Sequence, residues 1–510
     1  MKNVLVFLII ISCQRPMVLK PERKIYIDTL SNVYAVEPTV KVSISTAKLF
    51  NLIFKDSFYI IKEDTILKGF SGNLLLEFLE GKPAKLEYYK ILGRYNNVSD
   101  AVLEISTLSK VHLNFIIKTI GIKLSNVDTR EYLLLQGPYS SLDSIAGGRK
   151  LALLLKRQEG VVSIKYGNYE KKLSIPFEIH SKKPITIKDF IIDDGLNPPK
   201  KVTRTYEGYF EVWVDISGKN VLIVNVINFE NYIKGILPYE MSNRFPLEAL
   251  RAQAVLARSH ALSVYKKKLM LLYQPYDLTS DVWTQVYGGI TDVNDSVELA
   301  VKLTRGQFLV FGNSLVYALF HSSCGGILDD GNLWNNPLSY YLVKYDNDLN
   351  QGPEIYNDSI LKLFIDNNVF PSYCNTDRFY GSKSVFRWKT SFKISEIEGK
   401  LKRKIEKFEI LERSNGGRVK KLRIKFLDGD TIIDGELNIR RFFYKEKEGY
   451  LKSALFYIER NGDNLTIKGA GFGHGIGLCQ YGAGQRALLG QTYYQILNSY
   501  FSSVDIQRLY

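Results

Sequence analysis

Long apolar runs are missing from most of this sequence. Beyond the N-terminus no stretch reaches the roughly 18 apolar residues that a membrane-spanning helix needs, so no further span is expected. Zinc-finger spacings and aromatic-basic RNA motifs are absent as well, and nucleic acid is not an expected partner. Met and Trp number four each and His five. Cysteine is equally scarce at four, one of them Cys13 in the N-terminal segment. The remaining Cys324, Cys374 and Cys479 allow one disulfide and one free thiol in an oxidising compartment, and nothing in their spacing chooses the pair.

With 510 residues and 45% apolar content, the chain can bury substantial cores in two or three domains. Its 33 Tyr and 27 Phe can fill those cores or line a sugar-binding groove. The net charge of +15 favours polyanionic partners, although a compositional bias toward Lys gives the same figure. The densest basic run, Lys400 to Lys407, is broken by Glu406 and followed by Glu409, so it reads as a solvated helix face.

At the N-terminus, Lys2 precedes an apolar run from Val4 to Ile11, too short for a bilayer but long enough for a signal-peptide core. It ends in Ile10-Ile11-Ser12-Cys13, which resembles a bacterial lipobox. Residues 1–13 are therefore expected to be a lipoprotein-type signal segment, with Cys13 lipidated and the mature protein membrane-anchored outside the cytoplasm.

Residues 14–37, with Pro16 and Pro21, read as a tether. Residues 38–125 form a β-rich region of short alternating runs such as Val40–Ile44 and Phe58–Ile61. Residues 126–170 suggest a small α/β insert: a strand at Tyr132–Leu135, a helix running to Arg157, and a strand at Val161–Ile164. Its "LLLQGPYSS" start resembles the SPOR module, a fold that binds glycan lacking stem peptides. Residues 171–510 make the last and largest domain. There Pro246 and Glu248 suit the first turn of a long helix. Leu247, Leu250, Ala254, Ala257, Ala261 and Val264 give it one apolar stripe. Thr492 and Gln495 form a capping box for a closing helix. The expected class is α+β, strand-rich and mixed.

Three segments carry the chemistry. They are "VNVINFENYIKGILPYEMSNRFPLEALRAQAVLARSHAL" (224–262), "YDLTSDVWTQVYGG" (276–289) continuing to "FHSSCGG" (320–326), and "GAGFGHGIGLCQYGAGQRALLG" (469–490). Glu240 lies in "LPYEM", between an apolar strand and the Pro246 helix. Leu237, Tyr239 and Met241 surround it, an environment that raises a carboxyl pKa and keeps a proton available. Pairing with Arg244 or capping the next helix is the plainer use of such a residue. Gln253 and Arg258 flank the alanine-rich stripe, and Gln285 and Tyr287 would share one face of a strand. Ser322 and Ser323 sit at a strand end; without a G-x-S-x-G elbow, Ser323 is not expected to be a nucleophile. Glycines at 469, 471, 473, 475 and 477 leave one strand face bare. His474 and Gln480 lie beside them, as ligands for a sugar or as ordinary core groups.

In order and spacing these segments resemble the SpoIID/LytB family of bacterial sporulation and cell-wall proteins. The resemblance implies a SpoIID-type domain with the long helix beside an active-site groove. It also implies a peptidoglycan lytic transglycosylase with Glu240 as the acid, cutting the MurNAc–GlcNAc bond of glycan strands, denuded ones foremost, to a 1,6-anhydro product. Gln253, Arg258, Gln285, Tyr287, Ser322, Ser323, His474 and Gln480 would bind the strand. The family label "amidase enhancer" implies the alternative, a non-catalytic glycan binder that stimulates a cell-wall amidase. Some members carry zinc on a His and two Cys just before the Gln-x-Tyr-x-Gly element. Here that region has neither residue type, and Thr284 stands where a cysteine can stand. His321, Cys324 and Cys374 have a spacing compatible with another site, but no metal and no cofactor is expected.

Overall fold

The structure is a computed structural model that describes residues 25–28, 33–34, 36–63, 65–108, 114–139, 151–193, 199–265, 274–336, 338–355, 357–446 and 448–510. The expected signal segment, Cys13 and most of the tether lie outside the described residues. The fold is α+β. It divides into two compact units, one of residues 1–232, 261–291 and 510, the other of 233–260 and 292–509. Among the described residues no helix is long and apolar enough to cross a membrane.

The first unit is built on a 24-residue strand, Gly72–Tyr95. It pairs antiparallel with Leu49–Phe54, Glu131–Tyr139 and Leu151–Tyr166. Alternation in Glu131–Tyr139 splits the core around it. Leu133 and Leu135 join Tyr89, Ile91 and Ile120, while Leu134 joins Ala101, Ile105, Phe115 and Ile117. The helix expected to run to Arg157 is not found from Leu151 onward, because Leu151–Tyr166 is a strand. Its ladder with Gly72–Tyr95 supplies backbone partners along its whole length and overrides the helical preference of a Leu/Ala run. Residues 140–150, where the rest of that expected helix falls, lie outside the described residues.

A second sheet in this unit places Val221–Asn228 between Thr39–Ala47 and Tyr209–Val214. All but the last residue of Val221–Asn228 are buried, which accounts for its unbroken apolar run. The chain leaves this strand directly into the helix Phe229–Glu240. The element carrying Glu240 thus starts from a buried, fully paired strand.

Among the sheets of the second unit, two three-stranded ones share a core: Arg387–Lys393 with Asn464–Ala470 and Phe456–Asn461, and Ile405–Arg413 with Val419–Phe426 and Gly429–Asp434. Trp388, Leu422, Phe443, Phe456 and Ile467 lie in the core they share. The Lys400–Lys407 run is not one helix face. It covers a helix end at Leu401, a left-handed residue at Lys402 and the start of the Ile405–Arg413 strand. A short parallel pair, Phe320–His321 with Leu478–Cys479, joins the second and third sequence motifs.

The alternating glycines do not bare a strand face. Gly471, Gly473, Gly475 and Gly477 take φ values of +81°, +103°, +80° and +72°, so the segment is irregular and left-handed at every second residue. This lets it lie against the Leu319–Gly325 segment and Arg418. A Cβ on Gly477 would meet Leu319 O at 2.2 Å, and one on Gly475 would meet Arg418 Cζ at 2.0 Å. Arg418 is itself fully buried. It bonds Asp329 at 3.3 Å and the carbonyls of Cys324 and Ile327 at 3.0 and 3.1 Å. Gly475→Ala should cost about 2–5 kcal/mol, from left-handed strain plus overpacking against that guanidinium. Chemical denaturation checks this, and an unchanged midpoint would contradict the packing described.

Candidate active site

Glu240 ends the helix Phe229–Glu240 and does not follow a strand directly. Pro238 sits in its last turn, where the helix is about to stop in any case. Leu237 and Met241 are buried beside the partly buried Glu240. Tyr239 donates to Asp292 at 2.6 Å, and Asn243 to Asp292 O at 2.8 Å, which holds the turn that follows. Pro246 O accepts from Ala249 and Leu250 as the long helix Leu247–Val264 begins. Residues 252–259 of that helix are all buried, so its contact surface is wider than the expected stripe.

The third motif reaches Glu240 through one side chain. Gln480, the first residue of the helix Gln480–Leu488, donates its Nε2 to Glu240 O at 2.6 Å and lies 3.5 Å from Gln253 Oε1. Gln253 is fully buried, and its own Nε2 has no hydrogen-bond partner among the described residues. Gln480 therefore stands between the Glu240 backbone and the Gln253 side chain.

Glu240 and Gln480 open on a cleft of about 910 Å³, lined also by Arg244, Phe245, Ser322, Arg378, Phe379, Tyr380 and Tyr481, while Gln253 lies buried outside its lining. Among the described residues lining it, Glu240 is the one carboxylate. Phe245 and Phe379 stack at 4.3 Å with their planes 10° apart, and Tyr481 leans on both at 6.0 and 6.2 Å. Gly484 permits this, since a Cβ there would come within 2.7 Å of both phenyl rings. Tyr481 also donates to Tyr380 O at 2.8 Å, while the Tyr380 ring is fully exposed. The cleft therefore combines one acid, two guanidiniums and an aromatic wall, chemistry that suits an anionic saccharide.

Sequence reasoning missed Arg244, Phe245, Arg378, Phe379, Tyr380 and Tyr481. Phe245 and Tyr481 stand inside the motifs and were legible as neighbours of Glu240 and Gln480. "DRFY" at 377–380 belongs to no motif, and only the fold brings it here.

Other expected ligands serve the fold. Arg258 is fully buried and donates to Thr304 Oγ1 and Val301 O, both at 3.1 Å, at the end of the helix Asp295–Leu303. Ser323 is buried, pairs with Phe472 through its backbone and accepts from Gly325 N. Gln285 and Tyr287 are not on a strand and belong to the first unit, so the shared-face argument fails. Tyr287 donates to Asn225 at 2.7 Å, and Gln285 is buried with neither amide atom hydrogen-bonded among the described residues. His474 does not line the cleft. Its Nε2 donates to Phe320 O at 3.0 Å and its Nδ1 accepts from Ile476 N at 3.1 Å, which fixes the neutral tautomer.

Cys324, Cys374 and Cys479 are all buried and free, so no disulfide forms between them. With Asp346 they compose a group whose ligand atoms lie within 4.8 Å of one another. The expectation of no metal thus meets a donor set that linear spacing did not reveal. Asp346 stands 22 residues beyond Cys324 and in no motif. His321, weighed earlier as a ligand, is outside this group and has its Nδ1 3.1 Å from Ile476 O. Burial lowers its pKa to about 3.

Comparison with known proteins now adds the family. Residues 217–311 match the family model described as Stage II sporulation protein (SpoIID), and residues 330–477 match one described as a domain of unknown function (DUF8618). An uncharacterized protein of Brachyspira hyodysenteriae is 29% identical over 287 residues, 56% of this chain and 68% of that protein. The amidase enhancer of Bacillus subtilis is 29% identical over 294 residues, 54% of this chain but 40% of its own length. Stage II sporulation protein D of Bacillus amyloliquefaciens is 26% identical over 298 residues, 56% of this chain and 75% of that protein. Residues 217–311 thus resemble the SpoIID family, and the named relatives include a stage II sporulation protein D and an amidase enhancer.

Burial also holds the His474 pKa well below its usual value. The unfolded chain, whose histidine has a pKa of about 6.5, then takes up the proton first as pH falls. The stability this residue contributes is complete above about pH 6.5 and is lost below it, by up to about 1.4 kcal/mol per pH unit. Unfolding free energy measured against pH should show a shallower acid decline in His474→Gln. An identical slope would contradict the neutral, backbone-bonded ring.

Proposed function

We propose that this protein is a peptidoglycan lytic transglycosylase acting outside the cytoplasm, with Glu240 as acid and then base. The observation that carries the reading is the single carboxylate of the cleft, beside an aromatic wall and two guanidiniums. A glycoside hydrolase ordinarily needs a second carboxylate about 5–10 Å away to activate water or to act as nucleophile. A transglycosylase needs only one, because its substrate supplies the nucleophile. Protonated Glu240 gives its proton to the oxygen linking MurNAc C1 to GlcNAc as the C1–O bond breaks. The MurNAc C6 hydroxyl then bonds to C1 and its proton returns to the Glu240 carboxylate. The products are a 1,6-anhydro-MurNAc end and a new GlcNAc 4-hydroxyl, and no water is consumed.

Gln480 fixes the Glu240 backbone, and the Phe245–Phe379 stack with Tyr481 offers a face for pyranose rings. Arg244 and Arg378 suit the lactyl carboxylates that MurNAc exposes once stem peptides are removed, which favours denuded strands. Anchoring through Cys13 would keep the enzyme at a membrane surface; Cys13→Ala should release it into the soluble fraction.

The match to an amidase enhancer favours a second reading, a glycan-holding cleft that stimulates a partner amidase without cutting. The two part at Glu240. On purified peptidoglycan with and without stem peptides, Glu240→Gln should lower the anhydro-muramyl product seen by mass spectrometry by about 10²–10⁴-fold. Equal yields from variant and wild type would remove Glu240 from the chemistry. No anhydro product from wild type on either substrate would favour the binding role.

A further inference from the structure

The strongest unassigned feature is the buried cluster behind the cleft. Three of the chain's four cysteines converge there from residues 324, 374 and 479, and Asp346 joins them; all four are 0% exposed. Cys324 Sγ lies 3.5 Å from Cys374 Sγ and 3.7 Å from Asp346 Oδ2. A disulfide would require about 2.05 Å between sulfurs, so the 3.5 Å pair is not bonded. Thiolates and a carboxylate around one tetrahedral cation, with bonds of about 2.3 Å to sulfur and 2.0 Å to oxygen, stand about 3.5–3.8 Å apart. These two separations fall in that interval, and all four ligand atoms lie within 4.8 Å of one another.

We propose that Cys324, Cys374, Cys479 and Asp346 form a closed, four-coordinate zinc site that staples the walls of the cleft together. Three thiolates select a borderline-soft cation, and four protein ligands leave no open position, which is the pattern of a structural site.

The surroundings are arranged for charge. Arg486 donates to Asp346 Oδ1 at 3.0 Å and Tyr500 donates to its Oδ2 at 3.1 Å, so the carboxylate is oriented from behind, as second-shell partners orient metal ligands. Two backbone N–H groups point at sulfur, Cys324 N at Cys479 Sγ (3.3 Å) and Gly326 N at Cys324 Sγ (3.4 Å). Arg387, held on Gly325 O at 2.7 Å, adds a second, partly buried cation. Arg486, Arg387 and Lys344 thus place positive charge beside the four acidic ligand groups.

The linkage explains what such a site does. Cys479 immediately precedes Gln480, which bonds Glu240 O; Cys324 follows Ser322 by two residues; Cys374 lies four residues before Arg378. One cation therefore fixes three segments that line the cleft and that no disulfide joins. The position is distinct from the zinc place before Gln285 that some relatives use. The inference stands whether or not Glu240 cuts glycan.

The test uses the full chain purified without chelator. Elemental analysis should find about one zinc per chain, retained in Cys13→Ser and lost in Cys374→Ser and Cys479→Ser. Because those variants could misfold for packing reasons, wild type carries a second measurement. Exchange with cobalt(II) should produce a thiolate-to-metal charge-transfer band and tetrahedral ligand-field bands. Removal of the metal by a strong chelator should lower Tm and make three further thiols titratable. Metal-free protein whose Tm ignores chelator, or a Cys324–Cys374 disulfide in the intact chain by mass spectrometry, would overturn the site. Iron in place of zinc would overturn the choice of metal.

Discussion

Four glycines let two stretches of backbone occupy space that side chains would otherwise fill, and the candidate site depends on that approach. At 471, 473, 475 and 477 the chain turns left-handed and settles on the Leu319–Gly325 segment, with Arg418 in the space beneath Gly475. From this contact the third motif emerges in register. Leu478–Cys479 pairs with Phe320–His321, and the next residue, Gln480, begins a helix with its amide on the Glu240 carbonyl. A Cβ at Gly471, Gly473 or Gly477 would push the two stretches apart, and one at Gly475 would meet Arg418. The same contact brings Cys479 to Cys324, so the acid and the thiol cluster share one packing cause.

The site combines this rigid support with an open face. Beneath the motifs buried polar groups are held by the fold: Arg258 on a helix end, His474 between two backbone groups, Arg418 on Asp329. In front stand exposed or partly exposed groups, Arg244, Arg378, Tyr380 and Tyr481. Pre-organising one carboxylate in this way is what general acid catalysis needs, because the proton donor must be held in place as the bond breaks.

Much of this was legible in the sequence where local rules govern. The strands at Val40–Ile44 and Phe58–Ile61, the long helix after Pro246 and the Thr492/Gln495 capping box are all present. Glu240, Gln253 and Gln480 each lie in a motif, and the fold sets Gln480 between the Glu240 backbone and Gln253. What failed had non-local causes. The Leu151–Tyr166 strand owes its form to a partner strand far away in sequence. The alternating glycines looked like a strand face because period two is also the period of a repeated left-handed turn. Arg258 and His474 looked like ligands because a polar residue near a motif gives no sign of which backbone groups will claim it. Arg378 and Tyr380, and Asp346 beside the cysteines, belong to segments with no motif, and only tertiary packing brings them to the cleft and the cluster.

The central claim is that a glycan strand lies in this cleft with its scissile oxygen at Glu240. A crystal structure of Glu240→Gln with a denuded tetrasaccharide of alternating GlcNAc and MurNAc tests it most directly. The account predicts sugar rings against Phe245, Phe379 and Tyr481, a lactyl carboxylate at Arg244 or Arg378, and a glycosidic oxygen within hydrogen-bond reach of residue 240. Saccharide bound elsewhere on the chain, with this cleft left to solvent, would contradict it.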